Sequence, residues 1–296
     1  MAPIDAAVRT ALNATSLLSP SLAGRAAFAL FCRPLRRSRV RSAELDVHAR
    51  AATEELAVNG KRVVAYRWGD GTRPVLLLHG WRSRASRFAD WIPRLLDLGY
   101  SPVGFDAPGH GDSEGRGTTI LEYRELIGRL QDRYGHFEGV VAHSFGVLCA
   151  FHALRTGVTA ERLVALSGVS DFTFVVDGFC AGLGVNDRIR RELVRRIERE
   201  LFPGTPDPLR VFDAGRAPGE VPLPILVVHD EQDDVVPHGQ ARRLQAAYGE
   251  RLRLLTTRGL GHRRIVAEPT VVDNAVGFLA EPAPAGVPAP APAPAR

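Results

Sequence analysis

From about residue 61 the chain alternates short apolar runs with segments of helical length. Runs at 63–68, 75–79, 102–106, 139–143, 163–167, 225–229 and 252–256 read as strands. They are apolar rather than alternating, as expected of strands covered on both faces, so the pattern predicts an α/β fold with a mostly parallel central sheet. Helical stretches fit between them near 88–98, 119–133, 145–155, 238–248 and 269–279. The interval from about 170 to 222 breaks this rhythm. It is long, charged, helical around 187–201 and bounded by Gly and Pro, which is the placement of an inserted helical lid.

Two flanking segments have patterns of their own. Residues 1–57 read as a helical N-terminal extension in which Leu17, Leu18, Leu22, Phe28, Leu30 and Phe31 precede Arg33, Arg36, Arg37, Arg39 and Arg41. An apolar stretch followed by a basic one has two readings: peripheral contact of an amphipathic arm with an anionic membrane, or helices packed on the main domain with the arginines in solvent. Interruption by Ser19-Pro20 and Pro34 favours packing. Residues 281–296 alternate Pro and Ala, with fixed φ angles and little to bury, and predict a disordered tail. The expected plan is therefore 1–57 as extension, 58–280 as the main domain with its lid, and 281–296 as tail.

Composition narrows the classes. With 45% hydrophobic and 24% charged residues in 296, a sizeable single core is available. The net charge of +5 comes almost wholly from scattered arginines, Lys61 being the sole lysine, and no basic stretch is interleaved with stacking aromatics. Nucleic-acid binding is not expected. Cys32, Cys149 and Cys180 show neither paired nor zinc-ligand spacing, no secretory leader pattern opens the chain, and no uncharged apolar span reaches about 20 residues. Reduced thiols and a cytoplasmic location follow as expectations, with membrane contact limited to the arm.

The chemistry concentrates at Ala142-His143-Ser144-Phe145-Gly146, a small-x-Ser-x-Gly pattern between a strand and an apolar helix. Such a turn holds the serine in a strained conformation and needs small residues two positions before and after it. It exposes the hydroxyl at the carboxyl end of the sheet and aims the next helix's amino terminus at developing negative charge.

In this context residues 60–280 resemble the α/β-hydrolase superfamily, with Ala142 replacing the commoner first glycine of the elbow. Leu76-Leu77-Leu78-His79-Gly80-Trp81 is similar to the superfamily's turn beside the oxyanion hole, and the resemblance implies the backbone N–H groups of Trp81 and Phe145 as donors. The segment from Phe105 to Ser113 resembles the superfamily's Asp-x-Pro-Gly-x-Gly-x-Ser loop, which gives Asp106 and His110 loop-fixing roles. Val227-Val228-His229-Asp230-Glu231-Gln232-Asp233-Asp234-Val235-Val236-Pro237 resembles the loop of the triad acid. Aligned so, Asp233 is the acid, with Asp230 and Asp234 as neighbouring alternatives. Gly259-Leu260-Gly261-His262 stands where the superfamily carries its base.

The order Ser144, Asp233, His262 is the one this superfamily uses. The resemblance implies a serine hydrolase of the esterase or lipase kind, acting on a small-molecule acyl ester or thioester through an acyl-enzyme and needing neither metal nor organic cofactor. Thioesterase, carbon–carbon hydrolase and acyltransferase activities use the same triad. A non-catalytic ligand-binding member of the superfamily is the alternative from another class. Phe172, Phe174 and Phe179 of the lid, with Trp81 and Phe145, are placed to line an apolar pocket. His79 and Gly80 are placed to border it, although His79 also reads as a brace for its turn. Oligomeric state is left open.

Overall fold

The apolar runs become strands of one sheet. The computed structural model describes residues 6–282. Residues 283–296 of the expected tail lie outside the described residues. Among the described residues eight strands pair in one sheet: β1 (Ala52–Val58), β2 (Lys61–Arg67), β3 (Pro74–Leu78), β4 (Ser101–Phe105), β5 (Gly139–His143), β6 (Leu163–Leu166), β7 (Ile225–Asp230) and β8 (Leu252–Thr257). Their spatial order is β1-β2-β4-β3-β5-β6-β7-β8, with β1–β2 and β2–β4 antiparallel and the rest parallel. Strands β3 to β7 are buried at every position, as their unbroken hydrophobicity requires.

Twelve helices surround the sheet: α1 (Ala6–Leu18), α2 (Pro20–Phe31), α3 (Leu45–Ala49), α4 (Trp91–Asp97), α5 (Ile120–Tyr134), α6 (Phe145–Arg155), α7 (Phe172–Leu183), α8 (Asp187–Arg196), α9 (Pro208–Val211), α10 (Gly239–Tyr248), α11 (Gly261–Arg264) and α12 (Pro269–Ala280), counted among the described residues. One face of the sheet packs on α4 and α12 through Trp91, Leu95, Val272 and Ala275. The other packs on α5, α6 and α10 through Leu126, Leu148, Phe151 and Leu244. Local signals set the boundaries. Thr119 and Glu122 form a reciprocal capping box that starts α5, and Asp171 and Asn186 cap α7 and α8.

The structure departs from the pattern at two places. Residues 52–57, read as the end of a helical extension, form with Val58 the edge strand β1. It pairs on one side only and alternates exposed Thr53 and Glu55 with partly covered neighbours, so it lacks the apolar run that marks the inner strands. Residues 172–183, read as lid without a defined element, form α7.

The helices α1 and α2 pack against α8 of the 170–222 insertion. Ala23, Gly24 and Ala27 let the backbones approach; a Cβ at Gly24 would lie 2.1 Å from Cγ of Glu192. Asn13 ties α1 to the start of α8 by donating to the Gly184 carbonyl (2.9 Å) and accepting from the Asn186 N–H (3.0 Å). Beyond α2 the chain crosses the loop before α5 so closely that a Cβ at Gly117 would meet the Cys32 carbonyl. Arg37 latches it there by donating to the carbonyls of Gly111, Ser113 and Gly115. Arm and insertion thus form one cap over the carboxyl edge of the sheet.

Candidate active site

Four turns at the carboxyl edge bring the predicted residues together. Ser144 follows β5, His79 and Gly80 follow β3, Asp233 follows β7, and His262 follows β8 in α11. Ser144 has φ 57° and ψ −122°, a conformation costing a non-glycine residue roughly 1–3 kcal/mol. Its neighbours enforce it: the Ser144 N–H donates to the Leu166 carbonyl (3.0 Å), and its own carbonyl accepts from Val147 N–H (3.1 Å). The tight spacing also dictates glycines. A Cβ at Gly146 would lie 2.7 Å from the Leu78 carbonyl oxygen, and one at Gly80 would lie 2.7 Å from Cβ of Ser144.

The Ser144 hydroxyl lies 3.0 Å from Nε2 of His262, and Nδ1 of His262 lies 2.9 Å from Oδ2 of Asp233. A carboxylate only accepts, so Nδ1 carries the ring proton and donates to Asp233, which leaves Nε2 to accept from Ser144. The second oxygen of Asp233 accepts from the N–H groups of Val235 (2.9 Å) and Val236 (2.8 Å). Burial alone would push this carboxyl up, but the His262 hydrogen bond and the two backbone donors outweigh it and hold its pKa at about 2. The two alternative acids do other work. Asp230 accepts from the Leu260 N–H (2.9 Å) and the Thr257 hydroxyl (2.8 Å), securing the loop that carries His262. Asp234 is exposed and stays out of this chain of bonds.

Two residues that sequence reading passed over hold the site from behind. His143 donates from Nε2 to the His262 carbonyl (2.9 Å), its ring 4.8 Å from that of His262. Burial and then the nearby His262 ring push its pKa down to about 3, so it serves as a neutral brace. His229, buried in β7, donates from Nε2 to the Val236 carbonyl (2.7 Å) and steadies the acid's loop. A histidine inside an apolar strand or beside the serine carries no sequence signal for either role, because one partner is distant in the chain and the other depends on loop shape.

Above Ser144 opens a cavity of about 370 Å³. Trp81, Phe145, Phe172, Phe174 and Phe179 all line it, and Phe31 and Cys32 of the N-terminal arm close another part of its wall. Phe31 sits edge-on to Phe179 (5.1 Å) and Phe172 (6.2 Å), so the arm is built into the aromatic wall. Trp81 packs edge-on to Phe145 at 5.9 Å, and among the described residues neither backbone N–H has a hydrogen-bond partner.

His79 and Gly80 do not line this cavity, which corrects their placement at its border. His79 is fully buried behind the turn. It accepts from the Ala107 N–H at Nε2 (3.0 Å) and donates from Nδ1 to the Gly80 carbonyl (2.8 Å), and burial pushes its pKa down to about 4. Gly80 is hidden by its contact with Ser144. Asp106 anchors the next loop by accepting from the N–H groups of Ala85 (2.8 Å) and Asp112 (2.9 Å) and the Tyr66 hydroxyl (2.9 Å), with buried Arg84 3.1 Å away. His110 stands edge-on to Trp81 at 5.2 Å.

Comparison with known proteins agrees with this architecture. Among solved structures the chain is similar to an esterase of Pyrococcus furiosus, with a TM-score of 0.62 and 19% identity over 82% of this chain and 97% of the other. It is similar to alpha/beta hydrolase domain-containing protein 10 from mouse (TM-score 0.60, 16% identity, 77% and 97% coverage). A monoacylglycerol lipase of Paleococcus ferrophilus matches with a TM-score of 0.56 and 21% identity over 73% and 98%. No curated protein matches in sequence. At these identities the structural likeness speaks for the fold alone. The model of the alpha/beta hydrolase family, however, matches residues 75–275, and with two thirds of its length so covered the chain belongs to that family.

Proposed function

We propose that the protein is a serine hydrolase that cleaves carboxylic esters through an acyl-enzyme. The observation that carries this reading is the hydrogen-bonded chain from Ser144 through His262 to Asp233 beneath an apolar cavity. Ser144 attacks the carbonyl carbon while His262 takes its proton, and Asp233, charged at any pH above about 2, stabilises the imidazolium. The oxyanion forms at the unpaired N–H groups of Trp81 and Phe145; losing one such donor in other hydrolases costs about 3 kcal/mol. The cavity, at the low end of the roughly 300–1,000 Å³ of small-molecule sites, takes the acyl chain. Arm and insertion together act as its lid. Water entering on His262 then releases the acid.

Fluorophosphonate labelling of the full chain tests the reading, with Ser144→Ala as the control. Wild type is expected to label and the variant not to; absence of label on both would leave a ligand-binding protein. A panel of nitrophenyl esters of increasing acyl length then measures preference, and thioester, carbon–carbon and acyl-transfer substrates separate the related chemistries.

A second reading adds a lipid surface. Among the described residues no helix is long and apolar enough to cross a membrane. At the α1–α2 turn, however, Leu17 is 69%, Leu18 92% and Leu22 58% exposed, and Arg25 and Arg33 on the same hairpin are exposed too. Flotation with anionic liposomes, with and without Leu18→Asp/Leu22→Asp, checks it. Equal recovery of both forms in the soluble fraction would remove the membrane from the account.

A further inference from the structure

The apolar cavity accounts for one side of the site. On the other side of His262 lies a separate cleft of about 660 Å³, lined by His262 itself and by Arg82, Arg263 and Arg264. We propose that this cleft binds the leaving group of the substrate, and that the leaving group carries a phosphate. The inference rests on the reading of Ser144 and His262 as the reacting pair.

The two hollows meet where the chemistry would occur. Ser144 lines the apolar one, His262 lines the basic one, and Asp234 and Val235 line both. Acyl transfer assigns the halves of the substrate to them. Bonding of Ser144 Oγ to the carbonyl carbon passes the hydroxyl proton to His262. Collapse of the tetrahedral adduct breaks the bond from that carbon to the departing oxygen or sulfur, and His262 hands the proton to the departing atom, giving a free alcohol or thiol. The acyl half stays on Ser144 and the departing half lies against His262, hence in the cleft. Water then repeats the sequence and frees the carboxylic acid.

Charge identifies what the cleft accepts. Three guanidinium groups face one carboxylate, Asp234. Arg264 is spent on the Leu260 and Gly259 carbonyls, but Arg82 and Arg263 make no hydrogen bond or ion pair among the described residues. The neighbouring Arg258 is neutralised instead: it pairs with Glu231 at 2.6 Å, which also removes Glu231 as a partner for the cleft. Arg82 is moreover fixed at φ 57°, directly after Trp81. An arginine with no protein partner, on the wall of the cleft that also holds His262, is suited to an anion of the departing group, and the guanidinium fork matches two oxygens of a tetrahedral phosphate.

Two kinds of substrate carry phosphate there: a thioester of a phosphate-bearing thiol such as coenzyme A, and an acyl ester of a glycerophosphate. The test measures kcat/KM of the full chain on octanoyl-coenzyme A, on 1-octanoyl-glycerol-3-phosphate and on nitrophenyl octanoate. Each is repeated with Arg82→Ala/Arg263→Ala, with the double lysine variant and in 0.5 M NaCl. For at least one phosphate substrate the alanine pair is expected to lower kcat/KM on the order of 30-fold more than for the nitrophenyl ester, through KM. Lysines are expected to restore part of this, and salt to reproduce it in wild type. The phosphate substrate that responds identifies the source. Equal losses on all three substrates, or nitrophenyl turnover with neither phosphate ester used, would overturn the proposal alone. No turnover of any of them together with no fluorophosphonate labelling would overturn the hydrolase reading beneath it.

Discussion

The carboxyl edge of the sheet and the cap above it are built by different physics. At the edge, backbone meets backbone: Gly146 lies under the Leu78 carbonyl, Gly80 lies against Ser144, and buried His79 and His143 each satisfy a specific carbonyl. In the cap, α2 meets α8 through small side chains, and its charges are partly exposed pairs such as Glu192 with Arg195 and Arg196. The edge has one arrangement available to it. The cap is joined chiefly through side chains, which can exchange rotamers. On the proposed function the reacting groups sit on the part that cannot adjust, and substrate shape is read by the cap.

The sharpest break of that contrast is at the reacting groups. Ser144→Ala is expected to reduce kcat/KM on esters on the order of 10⁶-fold and Asp233→Asn about 10⁴-fold, with unchanged circular dichroism. A mild loss from either would place the chemistry elsewhere.

Acid comes next, and it attacks the edge. His79, His110 and His143 have folded pKa values pushed down by burial to about 4, 3 and 3, against 6.5 when unfolded. Below pH 6.5 the unfolded chain binds the extra protons. The stability these groups allow is thus complete above 6.5 and falls as the pH drops towards 4, by up to about 1.4 kcal/mol per pH unit for each. Denaturant midpoints at pH 7.5, 6 and 5 measure this, and a flat series would refute it. Asp233, depressed to about 2, adds loss only below its unfolded value near 3.8.

Insertion of one side chain separates the regions more finely. Gly146→Val forces β3 and α6 apart and is expected to cost about 3 kcal/mol. Gly178→Leu, where an added Cβ meets nothing within 4 Å, should leave the unfolding midpoint nearly unchanged while shortening the preferred acyl chain, since Gly178 lines the cavity. The smallest effect belongs to the arm: Phe31→Ala is expected to lower kcat/KM about 10-fold for long esters and about 2-fold for acetate. Parallel loss on both would make Phe31 a packing residue only.

The same contrast explains how much could be read from the sequence. Strands β3 to β7 were legible because burial on both faces writes an unbroken apolar run. The elbow was legible because its strain demands small residues at fixed offsets. Strand β1 was not, since an edge strand with Thr53, Glu54 and Glu55 has no such run. Nor were the parts of His143, Asp230 and Phe31. His143 acts on a carbonyl 119 residues away, Asp230 on an N–H 30 away, and Phe31 on a cavity whose other walls belong to the insertion. Those roles exist only in the assembled molecule.

The docking of α1 on the start of α8 joins groups 173 residues apart in the chain. A ribosome must therefore make the whole of the sheet up to β6, and then α7 and α8, before the first two helices have a seat. Until that moment the faces of Ala23, Ala27 and Phe31 lack their partner helices, so the cap cannot seal before α8 is made. Protection of the Cys32 thiol during refolding should trail the recovery of native sheet signal, and it gives a clock for the moment at which the newborn protein first encloses a substrate-sized space.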